Sequence, residues 1–392
     1  MTDLFRPFGP LLSARFISRP NRFLVECEQD GRLVRAFLPN PGRLQELLLP
    51  GSSLYIIKEE TGSRATGFTV VGVLREGDPG YPIMLHTGKT NAVARRLLEK
   101  GAIPGLEGAS VAGHEVSVGR SRFDFLLRDG EGDMLLEVKS CTLMGQRVAM
   151  FPDAVTARGK RHLEGLASLA REGTRTAVLF IVHAPFCDTF MPDYHTDLAF
   201  ARTLLSARSS VRIIPVAVEW GHDLSLADHA TLLDIPWPYI EREAHDRGSY
   251  VLVLSLAEDR FLDFGRLGRI FFRKGFYLYA GSAMVNLTAR MKRHVRRRKR
   301  FHWHIDWLRS VAEVRSVLPV RASERLECTI AQGLAARAAW TVPGFGCTDC
   351  SCDSHLFGLP DDPLQSAWFQ RLLLSLRMDR YGRADSLPAG TG

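Results

Sequence analysis

The chain has 392 residues, which is enough for two or three domains that each bury a hydrophobic core. Hydrophobic residues make up 45% and charged residues 24%, both near globular averages, so the composition excludes a mainly disordered chain. The longest apolar runs, such as TAVLFIVHA, have the length of buried strands, and the N-terminus shows no apolar signal core. We therefore expect a folded, cytoplasmic protein with no membrane partner.

The net charge of +8 is distributed unevenly along the chain. Residues 1–244 carry 28 basic and 29 acidic side chains, whereas residues 245–359 carry 19 basic and 10 acidic ones. Essentially all the excess positive charge therefore lies in the second part, as expected for a surface that faces a polyanion. Whether the chain forms a homo-oligomer stays open.

The first 85 residues contain short strand-like runs separated by turns. RFLVECEQ and RLVRAFLP alternate apolar and polar residues on either side of Asp30-Gly31, a pattern typical of a tight β-hairpin. SSLYII and FTVVGVL continue this pattern, which predicts a small β-barrel over residues 1–85. Arg22, Asn40 and Arg43 are candidate phosphate contacts, although solvated surface positions are the simpler explanation for each.

From residue 86 helical and strand-like runs alternate, which predicts an α/β domain over residues 86–243. PWPYIEREAHDRG then predicts a linker, because its prolines end the preceding strand and its other residues are largely polar. A further domain is expected over residues 248–358. In residues 359–392, QSAWFQRLLLSLRM predicts an amphipathic helix ahead of a disordered tail.

Asp124 and Glu137 lie on two strand-like runs joined by the turn-rich RDGEGD. A β-hairpin would bring their carboxylates together, and Glu137 and Lys139 would share one strand face. Paired carboxylates suit Mg²⁺ or Mn²⁺, with Glu115, or as the weaker alternative Glu107, as a candidate third ligand. A lysine beside them could activate an attacking water. The pattern fits phosphodiester hydrolysis, although the bare spacing alone favours exposed charges on a hairpin.

LPNPGRLQELLLPGS, TGKTNAVA, SRFDFLL, LEVKS and FPDAVTARGKRHLEGL resemble the sugar fermentation stimulation protein A family over residues 1–235. The resemblance implies an OB-like barrel followed by a PD-(D/E)XK nuclease-type domain that binds DNA. It also implies that Asp124, Glu137 and Lys139 form the nuclease-type active site.

FPDAVTARGKRHLEGL also contains a predicted basic helix, with Asp153 after Pro152 as the expected N-terminal cap. Contact with phosphate is the functional interpretation, and a solvated helix face is equally consistent with any one of the side chains. The basic side chains expected along its first turns are Arg158, Lys160, Arg161 and His162.

GFYLYAGSAMVNLTARMKRHVRRRKR predicts a strand followed by a helix of extreme basic density. Eight of the eleven residues over 290–300 are Lys or Arg, which gives a salt-dependent attraction to phosphate. A solubilising patch or a site for other anions is the alternative. The candidate DNA-binding residues here are Lys292, Arg293, His294, Arg296, Arg297, Arg298, Lys299 and Arg300.

YAG followed by NLTARMKRH resembles the GIY-YIG nuclease superfamily, and the whole segment from GSY to SHLF resembles a GIY-YIG-related family of uncharacterised domains. The resemblance implies paired tyrosines, a phosphate-clamping arginine, a helper histidine and a metal-binding carboxylate. These residues are Tyr250, Tyr279, Arg290, His294 and Glu327. GSY replaces GIY and YAG replaces YIG in this chain, and 28 residues separate the two tyrosines. These departures leave the implied fold unchanged and bear on whether the domain is catalytic. Burial of Tyr250 and Tyr279 as strand aromatics explains the two tyrosines equally well.

The run FGCTDCSCDSHLF contains a C-x2-C-x-C-x2-H pattern that could close a tetrahedral Zn²⁺ site. A reduced cysteine cluster or redox chemistry between near neighbours is the alternative. The candidate ligands are Cys347, Cys350, Cys352 and His355. The remaining cysteines lie far apart in sequence, which does not fit a secreted disulfide framework. They are Cys27, Cys141, Cys187 and Cys328.

The sequence thus predicts a mixed α/β (α+β) chain of an OB-like β-barrel, a PD-(D/E)XK nuclease-type domain and a GIY-YIG-like domain that acts on DNA. Metal-dependent hydrolysis with Mg²⁺ or Mn²⁺ is the favoured reaction. A non-catalytic DNA-binding regulator that keeps these folds as docking surfaces is the main alternative. RNA stays open as the ligand, because OB-like barrels and basic helices also bind single-stranded RNA.

Overall fold

The computed structural model describes residues 4–59, 66–77, 80–119, 121–264 and 268–384. The chain divides into two compact units. Unit 1 comprises residues 1–193, 199–240 and 381–392, and unit 2 comprises residues 194–198 and 241–380. No helix in the described ranges is both long and apolar enough to cross a membrane.

Unit 1 begins with a small barrel. Its strands are β1 (Leu12–Asn21), β2 (Leu24–Gln29), β3 (Arg32–Phe37), β4 (Ser53–Lys58), β5 (Phe68–Arg75) and β6 (Tyr81–Met84). Neighbouring strands follow the order β3-β2-β1-β4-β5-β6, and pairing between β3 and β5 closes the first five into a barrel. The predicted OB-like barrel and mixed fold class are confirmed.

The Asp30-Gly31 turn joins β2 and β3 into the predicted hairpin. Both residues have positive φ angles, 50° and 74°, as a two-residue type I′ turn requires. Gly31 adopts this conformation without a steric penalty, and Asp is among the few other residues that tolerate it. The turn sets the register in which Gln29 faces Arg32.

An α/β region follows the barrel in the central part of the chain. Its elements are α1 (Thr90–Glu99), β7 (Ser110–Val118), β8 (Ser121–Asp129), β9 (Gly132–Cys141), β10 (Leu143–Met144), β11 (Val148–Phe151), α2 (Ala157–Arg171), β12 (Arg175–Val182), β13 (Thr189–Pro192), α3 (Leu198–Ala207), β14 (Arg212–Trp220), β15 (Leu226–Leu232) and α4 (Trp237–Glu243). The main sheet has the order β15-β14-β12-β9-β8-β7, and β9, β12 and β14 run parallel. A smaller sheet joins β10, β11 and β13.

Helix α4 forms within the segment that was predicted to be a linker, and the boundary between the two units, at residues 240 and 241, falls inside the same segment. Pro238 falls in the first turn, where a helix does not need the backbone N–H that proline lacks. Proline therefore marks the start of a helix here and not its absence.

Two hydrophobic clusters cover the two faces of the main sheet. On one face, Val93 and Leu97 of α1 belong to the same cluster as Leu136 of β9. On the other, Leu163 and Leu166 of α2 belong to the cluster that contains strand residues of β12. Each fully buried side chain of this kind contributes about 1.5–3 kcal/mol. This packing fixes where α1 and α2 present their polar residues to β8 and β9.

Unit 2 is built on a five-stranded antiparallel sheet. The elements of this part of the chain are β16 (Gly248–Leu256), β17 (Arg260–Asp263), β18 (Arg269–Phe272), β19 (Gly275–Ala283), α5 (Leu287–Val295), α6 (His304–Val311), β20 (Glu313–Arg321), α7 (Glu327–Ala335), β21 (Trp340–Thr341), β22 (Leu356–Leu359) and α8 (Ala367–Arg377). The sheet order is β20-β16-β19-β22-β21, and β17 pairs only with β18 among the described strands. Helix α9 (Tyr381–Ala384) belongs to unit 1.

Two helix predictions near the C-terminus had different outcomes. The amphipathic helix in QSAWFQRLLLSLRM is confirmed as α8. The basic helix ends at Val295, and Arg296 is already extended, so its predicted continuation through Arg300 was wrong. Like charges spaced four residues apart destabilise a helix, which explains the early end. The tail predicted to be disordered lies, from residue 385 onward, outside the described residues.

A buried histidine connects the carboxyl ends of the three parallel strands. His183 follows β12 directly, its Nδ1 accepts from Trp220 Nε1 at 3.1 Å, and its Nε2 lies 3.0 Å from Ser140 Oγ. Burial lowers the pKa of His183 to about 3. The ring is therefore neutral at physiological pH.

Acid should destabilise unit 1 through His183. The folded pKa lies below the unfolded value of 6.5, so stability is complete above pH 6.5 and falls as pH drops toward about 3. Between about pH 7.5 and about pH 5 this group alone should shift the unfolding equilibrium roughly 30-fold toward the unfolded chain. Urea unfolding of wild type and His183→Gln at both pH values measures the difference. His229→Gln, at an exposed position, should keep the wild-type pH dependence of unfolding. If His183→Gln also keeps the wild-type pH dependence, His183 is not the group responsible.

Candidate functional site

The hydrogen-bonded ladder between β8 and β9 opens at Asp124. Its last pair on this side is Phe125 with Leu136. Beyond it, the Val138 amide donates to Asp124 Oδ2 at 2.8 Å, so a side chain replaces the strand carbonyl. Asn91 Nδ2, at the start of α1, donates to Asp124 Oδ1 at 2.8 Å. The Asp124 carboxylate is therefore held in place on both sides.

Glu137 is buried, with 3% of its surface exposed. Its Oε1 contacts both Lys139 Nζ and His162 Nδ1. Its Oε2 has no hydrogen-bond partner among the described residues. A buried carboxylate oxygen without a partner carries a desolvation cost, which a bound cation would offset.

Asp124, Glu137 and Lys139 line one cleft of about 1240 Å³ within unit 1. The cleft lies between the barrel loops and the end of the main sheet. Three of the predicted DNA-binding residues line the same cleft and are exposed: Arg22, Arg43 and Arg158. The structure thus brings together the carboxylates, the lysine and these arginines.

Arg19 joins the two loops that carry Arg22 and Arg43. Its Nη1 donates to the carbonyls of Gly42 and Arg43 at 2.8 and 2.6 Å. Its Nη2 donates to the carbonyls of Arg22 and Asn40 at 2.6 and 3.0 Å. Arg22 and Arg43 therefore project from a backbone that one guanidinium fixes.

The predicted cap of α2 was wrong. Thr156 Oγ1 accepts from the Gly159 amide at 3.0 Å and caps the helix. Asp153 lies too far upstream, because α2 begins at Ala157, and its Oδ2 instead accepts from the Leu44 amide at 2.7 Å. Asp153 thus holds the barrel loop that follows Arg43.

The predicted basic helix contributes a single arginine to the cleft. Arg158 lines the cleft, and Lys160 forms an ion pair with Glu164 at 3.4 Å. Arg161 is exposed and does not belong to the cleft lining. His162 faces Glu137. The side chains of a helix diverge around its axis, so a basic run cannot face one groove with every member.

Glu115 does not reach the cleft lining. It lies on β7 between the pairs His114–Phe125 and Val116–Phe123, which places its backbone level with Asp124. Its φ angle is 49°, and its carboxylate pairs with Arg122 at 3.5 Å. With 66% of its side chain exposed, Glu115 is not positioned as a third ligand in this structure.

In unit 2 the paired tyrosines lie on adjacent strands. Tyr250 of β16 faces Gly281 of β19, and Tyr279 lies two residues away on the same face, with ring centroids 6.4 Å apart. Tyr250 Oη lies 2.7 Å from His294 Nε2. A Cβ on Gly281 would lie 2.5 Å from Tyr250 Oη, which explains why the third residue of the YAG motif is glycine.

Burial controls the protonation of this cluster. It raises the pKa of Tyr250 well above its ordinary value and that of Tyr279 to about 12, to which the Glu327 carboxylate also contributes. Arg290 acts in the opposite direction on both. Burial lowers the pKa of His294 to about 3. At neutral pH a protonated phenol therefore faces a neutral imidazole.

Three of the eight predicted DNA-binding residues over 292–300 have internal roles. Arg293 Nη2 and Lys299 Nζ contact the fully buried Asp306 at 2.9 and 2.7 Å. Burial opposes ionisation of Asp306, yet hydrogen bonds from these cations hold its pKa below the ordinary value. His294 is 1% exposed. The prediction of a direct phosphate contact was wrong for His294, because its ring is buried against Tyr250, and Arg293 and Lys299 already have a carboxylate partner.

The rest of the basic run is accessible. Arg290 packs over the Trp303 ring, with 4.1 Å between its Cζ and the ring centroid. Arg297 also lies 3.5 Å from Glu313, with both side chains exposed. The exposed members are Lys292, Arg296, Arg297, Arg298 and Arg300.

The cysteine cluster differs from the predicted set in one ligand. Donor atoms of Cys328, Cys350, Cys352 and His355 all lie within 4.8 Å of one another. Cys347 is not in this group, and Cys328 takes its place. The exchange is tertiary in origin, because α7, which carries Cys328, packs against β22, and His355 directly precedes that strand.

A family model described as the sugar fermentation stimulation protein RE domain matches residues 88–223, and one described as the SfsA N-terminal OB domain matches residues 17–83. A sugar fermentation stimulation protein homolog of Chloroflexus aurantiacus is 44% identical over 201 residues, 51% of this chain and 76% of that protein. The chain belongs to the sugar fermentation stimulation protein family. The homolog of Methanothermobacter thermautotrophicus is 38% identical and is covered to 84%.

A solved structure agrees with this family assignment. Pyrococcus furiosus SfsA, solved in complex with Ca²⁺, shares 29% sequence identity with a TM-score of 0.54, covering 60% of this chain and 99% of that one. A model of the domain of unknown function DUF123 matches residues 249–377. Unit 2 is therefore an addition to the family core, and its GIY-YIG likeness stays a prediction.

Sequence reasoning missed two residues of these sites. Asn91 lies in the TGKTNAVA run at the start of a predicted helix. Its side-chain amide donates to Asp124, which is distant in sequence, so only the fold reveals the contact. Cys328 carries no local signal, because its partners are distant in sequence. His162 was predicted as a phosphate contact, and the structure adds its contact with Glu137.

Replacing Gly281 with alanine should destabilise unit 2. The added methyl group would lie 2.5 Å from Tyr250 Oη, and overpacking of this kind costs about 1–3 kcal/mol. Scanning calorimetry of the full chain should show a lower transition temperature. Gly130→Ala, where no heavy atom lies within 4 Å of the added carbon, should leave the transitions unchanged. Equal transition temperatures for Gly281→Ala and Gly130→Ala would contradict the close approach of Gly281 to the Tyr250 hydroxyl.

Proposed function

We propose that unit 1 is a metal-dependent nuclease that hydrolyses phosphodiester bonds in DNA. The observation that carries this proposal is the meeting of Asp124, Glu137 and Lys139 in one large cleft. Its volume of about 1240 Å³ exceeds the roughly 300–1,000 Å³ of ordinary small-molecule pockets. An open, elongated ligand such as a nucleic-acid strand fits this cleft better than a metabolite.

Asp124 and Glu137 would hold the cation. The unpartnered, buried Glu137 Oε2 and the fixed Asp124 carboxylate form a hard-oxygen ligand set suited to Mg²⁺ or Mn²⁺. The Pyrococcus furiosus relative, solved in complex with Ca²⁺, supports a divalent cation in this family. When bound, the cation would lower the pKa of a coordinated water and neutralise charge on the phosphate.

The surrounding side chains would orient these groups. His162 and Lys139 hold Glu137 Oε1 from two sides and leave Oε2 free. Lys139 would orient the attacking water and stabilise negative charge on the phosphorus oxygens. Arg22, Arg43 and Arg158 would bind flanking phosphates, and Arg19 fixes the first two in advance.

We propose a second phosphate-binding surface on unit 2. The exposed cations at Arg296, Arg298 and Arg300 form a basic depression with few competing acidic groups. Arg290, Glu327 and the buried pair of Tyr250 and His294 would be the elements of a GIY-YIG-like site, a proposal that the contact between Tyr250 and His294 supports. Arg290 would then clamp a phosphate.

Substituting Glu137 with glutamine or Asp124 with asparagine should lower DNA cleavage by at least about 100-fold, because each change weakens the cation site and the charge it supplies. The measurement is cleavage of labelled single-stranded, duplex and branched DNA with Mg²⁺, Mn²⁺ or EDTA. Arg290→Ala in the same assay reports on unit 2. Loss of cutting in Arg290→Ala alone would assign the chemistry to unit 2.

Asp133→Asn is the matched control for this experiment. Asp133 lies on the same hairpin but pairs with Arg128 at 2.6 Å, and it does not line the cleft. It should cleave like wild type. If the wild type binds DNA but never cuts with any cation, the chain is a binding protein and the nuclease proposal is wrong.

Binding to DNA should weaken with salt through the cleft arginines. Arg43→Ala and Arg158→Ala should each lower the slope of log K against log salt by about 1, the loss of one phosphate contact. Fluorescence anisotropy with the catalytically impaired Glu137→Gln background avoids cleavage during titration. Arg128→Ala, whose guanidinium pairs with Asp133, should keep the slope. Tighter binding of a matched RNA at fixed salt would instead identify RNA as the ligand.

A further inference from the structure

Four side chains of types that bind metals meet in unit 2. Cys328 is the second residue of α7, Cys350 and Cys352 lie between β21 and β22, and His355 directly precedes β22. Their donor atoms lie within 4.8 Å of one another, and Cys350 Sγ lies 3.4 Å from His355 Nε2. Three thiols and one imidazole thus converge from two separate segments.

These distances match the edges of a tetrahedral zinc site. With Zn–S bonds of about 2.3 Å and Zn–N bonds of about 2.1 Å, two sulfurs lie about 3.8 Å apart, and a sulfur and a nitrogen lie about 3.6 Å apart. The observed sulfur–nitrogen distance of 3.4 Å is close to this edge, and the 4.8 Å limit leaves a contraction of about an ångström at most. Side-chain rotation alone can supply that contraction.

The chemistry of the set selects the metal. Thiolates and a neutral imidazole favour Zn²⁺ over Mg²⁺ or Ca²⁺, which prefer oxygen ligands. Three cysteines with a histidine complete all four positions, which is the closed arrangement of a structural site. A disulfide would use two of the sulfurs and give His355 no role.

We propose that Cys328, Cys350, Cys352 and His355 bind one structural Zn²⁺ ion, which fastens the start of α7 to the segment before β22. On binding, the three thiols release their protons to solvent and the imidazole binds through its unprotonated Nε2. No redox step is involved. The proposal does not depend on the nuclease activity of unit 1.

The ion would stabilise the surroundings of Tyr279. The His355 amide donates to the Phe345 carbonyl at 2.8 Å, and the Ala280 amide of β19 donates to the His355 carbonyl at 2.9 Å. Gly346 lies against the Tyr279 ring, where an added Cβ would come within 2.9 Å of Tyr279 Cε2. The metal would therefore hold the segment that covers Tyr279, and also the helix start that carries Glu327.

The test compares Cys328→Ser with Cys347→Ser in the full chain, purified under reducing conditions and dialysed against Zn²⁺. Elemental analysis should find one Zn²⁺ per chain in the wild type and in Cys347→Ser. Cys328→Ser should bind zinc at least about 100-fold more weakly, since even the loss of outer partners of a ligand costs 10–100-fold. Retention in Cys328→Ser with loss in Cys347→Ser would overturn the ligand set, and a wild type without zinc would overturn the site.

A second measurement needs no variant and so does not depend on the folding of one. Wild-type chain is treated with an alkylating reagent before and after removal of Zn²⁺ by a chelator, and labelled cysteines are located by mass spectrometry. Cys328, Cys350 and Cys352 should be protected only with zinc, whereas Cys347 should react in both states. Protection of Cys347, or a disulfide among the three proposed ligands in the zinc-treated chain, would refute the proposal.

Discussion

Burying the Glu137 carboxylate is the constraint on which the organisation of the cleft depends. An ionised carboxylate loses solvation when it is buried, and only nearby cations or donors offset that cost. Lys139 and His162 supply this compensation at one oxygen and leave the other unpartnered. Helix α2 must therefore pack so that His162 reaches β9, and this requirement links the core of the main sheet to its polar edge.

The opening of the strand ladder at Asp124 is the second condition for the cleft. A regular β8–β9 ladder would direct the Val138 amide to a backbone carbonyl. Here the Asp124 side chain takes that amide, and Asn91 of α1 restrains its other oxygen. Both carboxylates are thus fixed by neighbours that the hydrophobic packing of α1 and α2 positions, which is the preorganisation that electrostatic catalysis requires.

Unit 2 divides its positive charge between internal and external roles. Arg293 and Lys299 neutralise the buried Asp306, whose Oδ2 also accepts from the amides of the two residues before α6, His302 and Trp303. This internal use of charge orders the segment after α5, which carries the exposed arginines. A basic run in sequence therefore has two parts, of which one stabilises the fold and the other is left for a polyanion.

The sequence by itself determined the local elements and the residue types of the candidate sites. Strand alternation, the Asp30-Gly31 turn and the helical period located the barrel, the Asp124–Glu137 hairpin and α8, because these signals act over a few neighbouring residues. Tertiary structure alone decided which side chains meet. It placed Cys328 instead of Cys347 in the thiol cluster, turned Glu115 to Arg122 and enclosed His294. Such choices depend on packing between segments distant in the chain, which no local period or spacing encodes.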